Sequence, residues 1–251
     1  MKYALESAGP NRNELEYVLD YYKDEPEKYK AALFLIENMP GHYSYLGDAI
    51  DDYYTDAIDI MRSSLTPVEQ RDSLLKLSDA KYLGLDNTII QDIKIITAEQ
   101  IIHNIDRAFD EWKNRSYCEH VDFDTFCEWI LPYKCVELQQ IDSWRDTLSN
   151  EFSNDLKQFI FDDETKNSPF RALDLVRNEI LRKVKPYGVY TRSGYPMLSA
   201  STLKNMTFGR CADYVNLGVL TYRSLGLPVV IDETPIWGRY RAGHTWYVLL
   251  G

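Results

Sequence analysis

The chain has 251 residues, 45% of them hydrophobic and 27% charged, the composition of an ordinary globular protein with enough length for a substantial core. Its formal net charge of -11 argues against nucleic acid or an anionic membrane surface as partner, because both reward Lys and Arg. No stretch approaches the ~20 apolar residues needed to span a bilayer, and the opening Met1-Lys2-Tyr3-Ala4-Leu5-Glu6 lacks the apolar region of a signal peptide.

The first two-thirds read as helices. Leu15, Val18, Leu19 and Tyr22 recur at helical spacing within Asn13 to Tyr22. Pro26 opens a second helix through Ile36, ended by Met39-Pro40-Gly41, and Gly47 to Arg62 forms a third. Thr66-Pro67-Val68-Glu69 is a capping box with proline at the first helical position. Thr97-Ala98-Glu99-Gln100 is another, and it opens a helix with Ile101, Ile105, Ala108, Phe109 and Trp112 on one face. Asp124 to Leu131 is a short helix stopped by Pro132. Val136 to about Phe161 reads as a long one, with Leu138, Ile141, Trp144, Leu148 and Phe152 inward. Ser168-Pro169 starts one more through Val184.

The texture then changes. Pro186 to Phe208 holds Gly188, Gly194 and Pro196 among polar residues, a loop-rich approach to Gly209-Arg210-Cys211. An apolar helix follows to Gly226, and Pro228 to Ile231 and Thr245 to Leu250 have the β-branched and apolar texture of strands. The fold class expected is α+β: a helical region over 1–165, then a smaller α/β unit with a small antiparallel sheet over 166–251.

Cys211 and His244 are the candidate catalytic pair. A thiol becomes a nucleophile when its pKa is lowered and a base stands nearby. The unpaired N–H groups of a helix start favour the thiolate, and an imidazole on a rigid strand accepts or shares the proton. Trp246, two residues along the strand, shares a face with His244 and either shields the pair from water or belongs to the core. The Cys211 N–H is the first donor for an oxyanion; Asn205, Tyr187, Tyr190 and Tyr195 are candidates for the second. Asp213, in the first helical turn, reads as structural, and Arg210 can bind either an acidic substrate group or, more commonly, a structural carboxylate. The cysteines Cys118, Cys127, Cys135 and Cys211 are too few and unevenly spaced for a disulfide framework, and with His120 they match no pair of zinc knuckles. No metal and no cofactor are expected.

Gly209-x-Cys211-x-Asp213-Tyr214, the helix ending Tyr222-Arg223-Ser224-Leu225-Gly226-Leu227-Pro228-Val229, and Gly243-His244-x-Trp246 together resemble the transglutaminase-like superfamily over roughly residues 168–251. Leu35-Ile36-Glu37-Asn38-Met39-Pro40-Gly41-His42-Tyr43, Leu131-Pro132-Tyr133-Lys134, Glu137 and Trp144-Arg145 resemble the helical portion of such proteins in Bacteroidetes. The resemblance implies a papain-like fold, a Cys-His-Asp triad, and acyl transfer or hydrolysis on a peptide or protein amide or a glycoconjugate. It also implies an exported, periplasmic or cell-surface parent. The family takes its Asp from the strand after the His strand, and the sequence ends at Gly251, seven residues past His244. The triad is therefore expected to be incomplete and the chain weakly active or inactive. A non-catalytic peptide- or glycan-binding module is the alternative.

Overall fold

The computed structural model describes residues 1–81, 89–159, 166–184, 188–189, 196–205, 208–238 and 243–250. Within them the chain is α+β and mostly helical. None of the described helices is long and apolar enough to cross a membrane.

Helices α2 (Arg12–Tyr21) and α3 (Pro26–Asn38) pack with α6 (Ala98–Asn114), and α1 (Lys2–Ser7) packs on α2 and α3. The start of α6 is set by its capping box: Thr97 Oγ1 accepts from the Gln100 N–H, and Gln100 Oε1 accepts from the Thr97 N–H. The face formed by Ile101, Ile105, Ala108, Phe109 and Trp112 is buried as the periodicity requires. Trp112 stacks on Phe126 of α7 (Phe123–Trp129), with ring centroids 4.3 Å apart. Each large side chain removed from water here contributes about 1.5–3 kcal/mol.

Helix α4 (Asp48–Arg62) packs on α5 (Pro67–Lys81), whose Thr66 and Glu69 pair as their spacing predicts. A short antiparallel pair, β1 (Tyr43–Tyr45) and β2 (Ile89–Gln91), has no counterpart in the sequence reading.

The long helix expected from Val136 begins eight residues later, as α8 (Trp144–Phe159). Competing hydrogen bonds take the intervening segment. The Leu138 N–H donates to Tyr43 O, Gln139 Oε1 accepts from the Cys135 N–H, and Gln140 reaches Asp51. Leu138 sits at φ 65°, a left-handed conformation that no α-helix accommodates. Asp142 then lies by the backbone N–H groups of Trp144 and Ala200, at the starts of α8 and of a four-residue helix, α10 (Ala200–Leu203), which is capped by Ser199 accepting from the Thr202 N–H.

Helix α9 (Pro169–Val184) packs between α8 and the buried α11 (Cys211–Arg223). A two-residue parallel pair joins β3 (Gly188–Val189) to β4 (Phe208–Gly209). Gly226, at φ 82°, ends the α11 turn, and the Leu227 N–H closes it onto Tyr222 O. Strand β5 (Val229–Thr234) then pairs antiparallel with β6 (His244–Leu249), from Val229 opposite Leu249 to Thr234 opposite His244. One hydrophobic cluster runs from Ala4 to Val229, continuous across the boundary expected near residue 165. Polar ties reinforce it: Tyr117 OH donates to Leu225 O at 2.6 Å and Cys118 Sγ to Gly226 O at 3.0 Å.

Candidate functional site around Cys211

Cys211 is the first residue of α11, as its sequence context predicts. Arg210 precedes it in an extended conformation, and the Asp213 carboxylate folds back over this turn. Asp213 Oδ2 accepts from the Arg210 N–H at 2.7 Å, and Arg210 Nη2 donates to Oδ1 at 2.9 Å. The Asp213 side chain is 1% exposed, so it holds the helix start together with Arg210, the structural role expected of Asp213 and the commoner of the two expected of Arg210. Gly209 is required by close approach: a Cβ there would lie 3.2 Å from Asp213 Cβ and 3.3 Å from its Oδ2. The glycine serves this packing.

The four thiols differ sharply. Burial pushes Cys118 and Cys127 up to about 12. Burial also raises Cys135, against the opposing charges of Arg223 and Arg145. Cys211 is half-buried and is the first residue of α11.

His244 opens β6. Strand β5 runs back from Gly226 and β6 returns beside it, so the first residues of β6 and of α11 lie at the same end of the unit. Tyr222 and Tyr247 fix the level of helix against strand, with ring centroids 5.1 Å apart. Cys211 stands about 16 Å up the helix from Tyr222, and His244 about 10 Å up the strand from Tyr247.

The facing of the side chains is a separate matter. Tyr247 points at α11, so alternation puts Trp246 and His244 on the other face of the sheet. Both meet Trp237 there: its ring centroid is 4.9 Å from that of His244 and 5.9 Å from that of Trp246. His244 and Trp246 share a face as expected, with centroids 6.1 Å apart. Trp246 thus packs beside Trp237 and stands away from α11. Among the described residues Cys211 and His244 share no hydrogen bond, and no third acid joins them. Trp237 was missed in the sequence, although two large apolar residues in the turn Pro235-Ile236-Trp237-Gly238 signal an exposed aromatic; Trp237 is 50% exposed.

Asn205 follows α10. Its Oδ1 accepts from Arg62 at 3.3 Å and its Nδ2 donates to Ser201 O at 2.7 Å, so this amide is held by α4 and α10. Tyr187, Tyr190 and Tyr195 lie outside the described residues. Sequence reasoning also passed over Asn216, one turn into α11. It is fully buried, and among the described residues neither its Nδ2 nor its Oδ1 finds a partner. An asparagine inside the apolar run Val215 to Leu220 was the available signal. Among the described residues no cluster of His, Cys, Asp and Glu could hold a metal ion. No family model, curated protein or solved structure matches the chain.

Proposed function

We propose that residues 166–251 form part of a transglutaminase-like unit that carries out thiol-dependent acyl transfer on peptide or protein amides. Cys211 attacks the amide carbonyl, its own N–H stabilises the oxyanion, and His244 moves the proton to the leaving amine. Water or an amine then takes the acyl group. The observation that carries this reading is the placement of Cys211: the half-buried thiol is at a helix start, and the other three are pushed up by burial. The hairpin supports it by returning the His244 end of β6 to the Cys211 end of α11. Catalysis in this reading requires the first residue of β6 to rotate its backbone, so that the His244 side chain passes from the Trp237 face of the sheet to the α11 face.

A second reading rests on a different observation. Trp237, His244 and Trp246 present an aromatic face of the kind that stacks on sugar rings or peptide side chains, which fits a non-catalytic binding module. Brief iodoacetamide labelling followed by mass spectrometry, together with hydrolysis of a peptide amide by wild type, Cys211→Ala and His244→Ala, separates the two. Acyl transfer predicts preferential labelling of Cys211 and turnover lost in both variants. Turnover that survives Cys211→Ala, or labelling that spares Cys211, overturns it. An intact thiol without turnover, with peptide or glycan binding lost in Trp237→Ala, selects the binding module.

A further inference from the structure

His244 and Cys211 lie at one end of one unit, with the imidazole on the side of the sheet away from α11. Strand β6 cannot turn over as a whole. Tyr247 is packed on Tyr222, and rotating the entire strand would break every rung from Val229 with Leu249 to Thr234 with His244. His244 is the first residue of β6 and forms the last of these rungs. A change of face confined to that residue disturbs this rung alone.

The backbone leaves room for such a change. Gly243 precedes His244 and lies against the end of β5, where a Cβ would stand 3.2 Å from Thr234 O. With no side chain at 243, the peptide leading into His244 can rotate past this carbonyl.

What opposes the rotation is Trp237. Its ring centroid is 4.9 Å from that of His244 and 5.9 Å from that of Trp246. Trp237 is half-exposed, and Ile236 beside it is exposed, so neither serves to fill the core. The turn that presents the indole is itself held: Thr234 Oγ1 donates to Ile236 O at 3.1 Å. One hydroxyl bond fixes the turn, the turn places Trp237 over the outer face of the sheet, and the indole takes the imidazole as its partner. An aromatic pair of this kind favours the state that keeps it about two- to ten-fold. The state kept here is the one in which His244 faces away from α11.

We propose that Trp237 is an autoinhibitory latch, whose contact with His244 holds the imidazole on the outer face of the β5–β6 hairpin and out of reach of Cys211. The latch rests on the acyl-transfer reading of Cys211 and His244 and adds regulation to it.

The test uses the full chain and two readouts. Iodoacetamide labelling with mass spectrometry follows the Cys211 thiol, and nuclear Overhauser contacts of the His244 ring protons report the face that the ring occupies. Wild type is expected to show contacts from His244 to Trp237 and Trp246. Trp237→Ala should add contacts from His244 to α11 and raise the rate of Cys211 labelling at neutral pH about two- to ten-fold. Combining Trp237→Ala with His244→Ala should abolish that increase, which separates a released imidazole from a thiol merely uncovered. Thr234→Val removes the bond to Ile236 O and should move both readouts in the same direction by less; it keeps the test valid if Trp237→Ala fails to fold. Labelling unchanged or slowed in Trp237→Ala, an increase that survives in the double variant, or a His244 ring that stays beside Trp246 overturns the latch. Turnover of a peptide amide decides the other question. If Trp237→Ala brings His244 to α11 and no variant hydrolyses the amide, the latch stands and the acyl-transfer reading fails. If wild type turns over with His244 required and Trp237→Ala is no faster, the reading stands and the latch fails.

Discussion

Arg145 Nη1 donates to the backbone carbonyl of Arg223 at 3.1 Å, joining the first turn of α8 to the last residue of α11. The same side chain reaches Asn104 Oδ1 through Nε at 2.7 Å, and through Nη2 it reaches Ile130 O at 2.5 Å and Leu131 O and Pro132 O, both at 3.1 Å. The guanidinium is fully enclosed, lies over the Trp144 ring and makes no ion pair among the described residues. Burial and the neighbouring Arg223 push its pKa down, so the ring of carbonyl dipoles must hold the charge. The Arg223 carbonyl is a helix C-terminus, whose negative dipole end suits that task.

Arg145→Met should therefore destabilise the whole chain. Methionine fills part of the volume but leaves Ile130 O, Pro132 O and Asn104 Oδ1 without the donor that Arg145 supplies, while Leu131 O keeps Asn104 Nδ2 and Arg223 O keeps the Gly226 N–H. A loss of about 3–5 kcal/mol is expected in urea unfolding. Arg145→Lys keeps a charge but loses the planar fork, and should fall between the two. A loss under about 1 kcal/mol for the methionine variant means that water reaches these carbonyls and that Arg145 is no hub.

Gly226→Ala tests the same junction from the other side. Gly226 has φ 82°, and a Cβ there would stand 3.1 Å from the Glu111 carbonyl oxygen and 3.2 Å from Cys118 Sγ. The left-handed conformation alone costs about 1 kcal/mol for an L side chain. Displacing the Glu111 backbone raises the expected loss to about 2–4 kcal/mol. Gly9→Ala is the control: φ is 57° and the space around it is open, so only the conformational cost of about 1 kcal/mol applies. Equal losses at the two positions in parallel denaturations mean that the close approach at Gly226 carries no energy.

Much of this architecture is legible in the sequence where local signals decide. The Thr97 box places α6 to the residue, and the Ile101 to Trp112 stripe names its buried face. Pro26, Pro67 and Pro169 each open the helix they predict. The reading fails where tertiary partners outbid the local pattern. Leu138 and Ile141 fit the α8 periodicity, yet Tyr43 and Asp51 hold that segment out of the helix. The candidate site divides the same way. A glycine-flanked cysteine and a strand histidine locate Cys211 and His244 at one end of one unit. Which sheet face His244 occupies depends on a register that only the pairing of Val229 with Leu249 defines.

Asp142 gives a pH dependence with an unusual sign. Burial raises its carboxyl to about 6, against the opposing N–H bonds of Trp144 and Ala200, and its Oδ1 is buried without a partner. Glu99, His103, Tyr133, Arg145 and Asp146 line the same cavity as Asp142, and Tyr54 also feels its charge; burial raises that phenol far above this range, so it stays neutral. Between the ordinary carboxyl range near 4 and about 6, the folded chain holds a proton that the unfolded chain has released. Stability contributed by Asp142 therefore falls as pH rises through this window. Asp142→Asn should remove that slope. Urea midpoints for the two proteins that run parallel from pH 4 to 6 would show that Asp142 ionises freely in the folded state.

Hydrogen exchange should resolve the hairpin residue by residue. The Leu250 N–H donates to Pro228 O, so at that register position the backbone of β6 faces β5. Alternation in an antiparallel pair then points the N–H groups of Val248 and Trp246 toward β5 as well, and those of Thr245, Tyr247 and Leu249 away from it. Among the described residues β6 has no second strand partner. Trp246, Val248 and Leu250 should thus exchange slowly, and Thr245, Tyr247 and Leu249 faster by about two orders of magnitude or more, since only the first set must open a ladder bond. Ile101 and Ile105 in α6, bonded along a buried helix, set the slow reference. Protection of Tyr247 and Leu249 equal to that of Ile101 would mean that another strand covers the outer edge of β6.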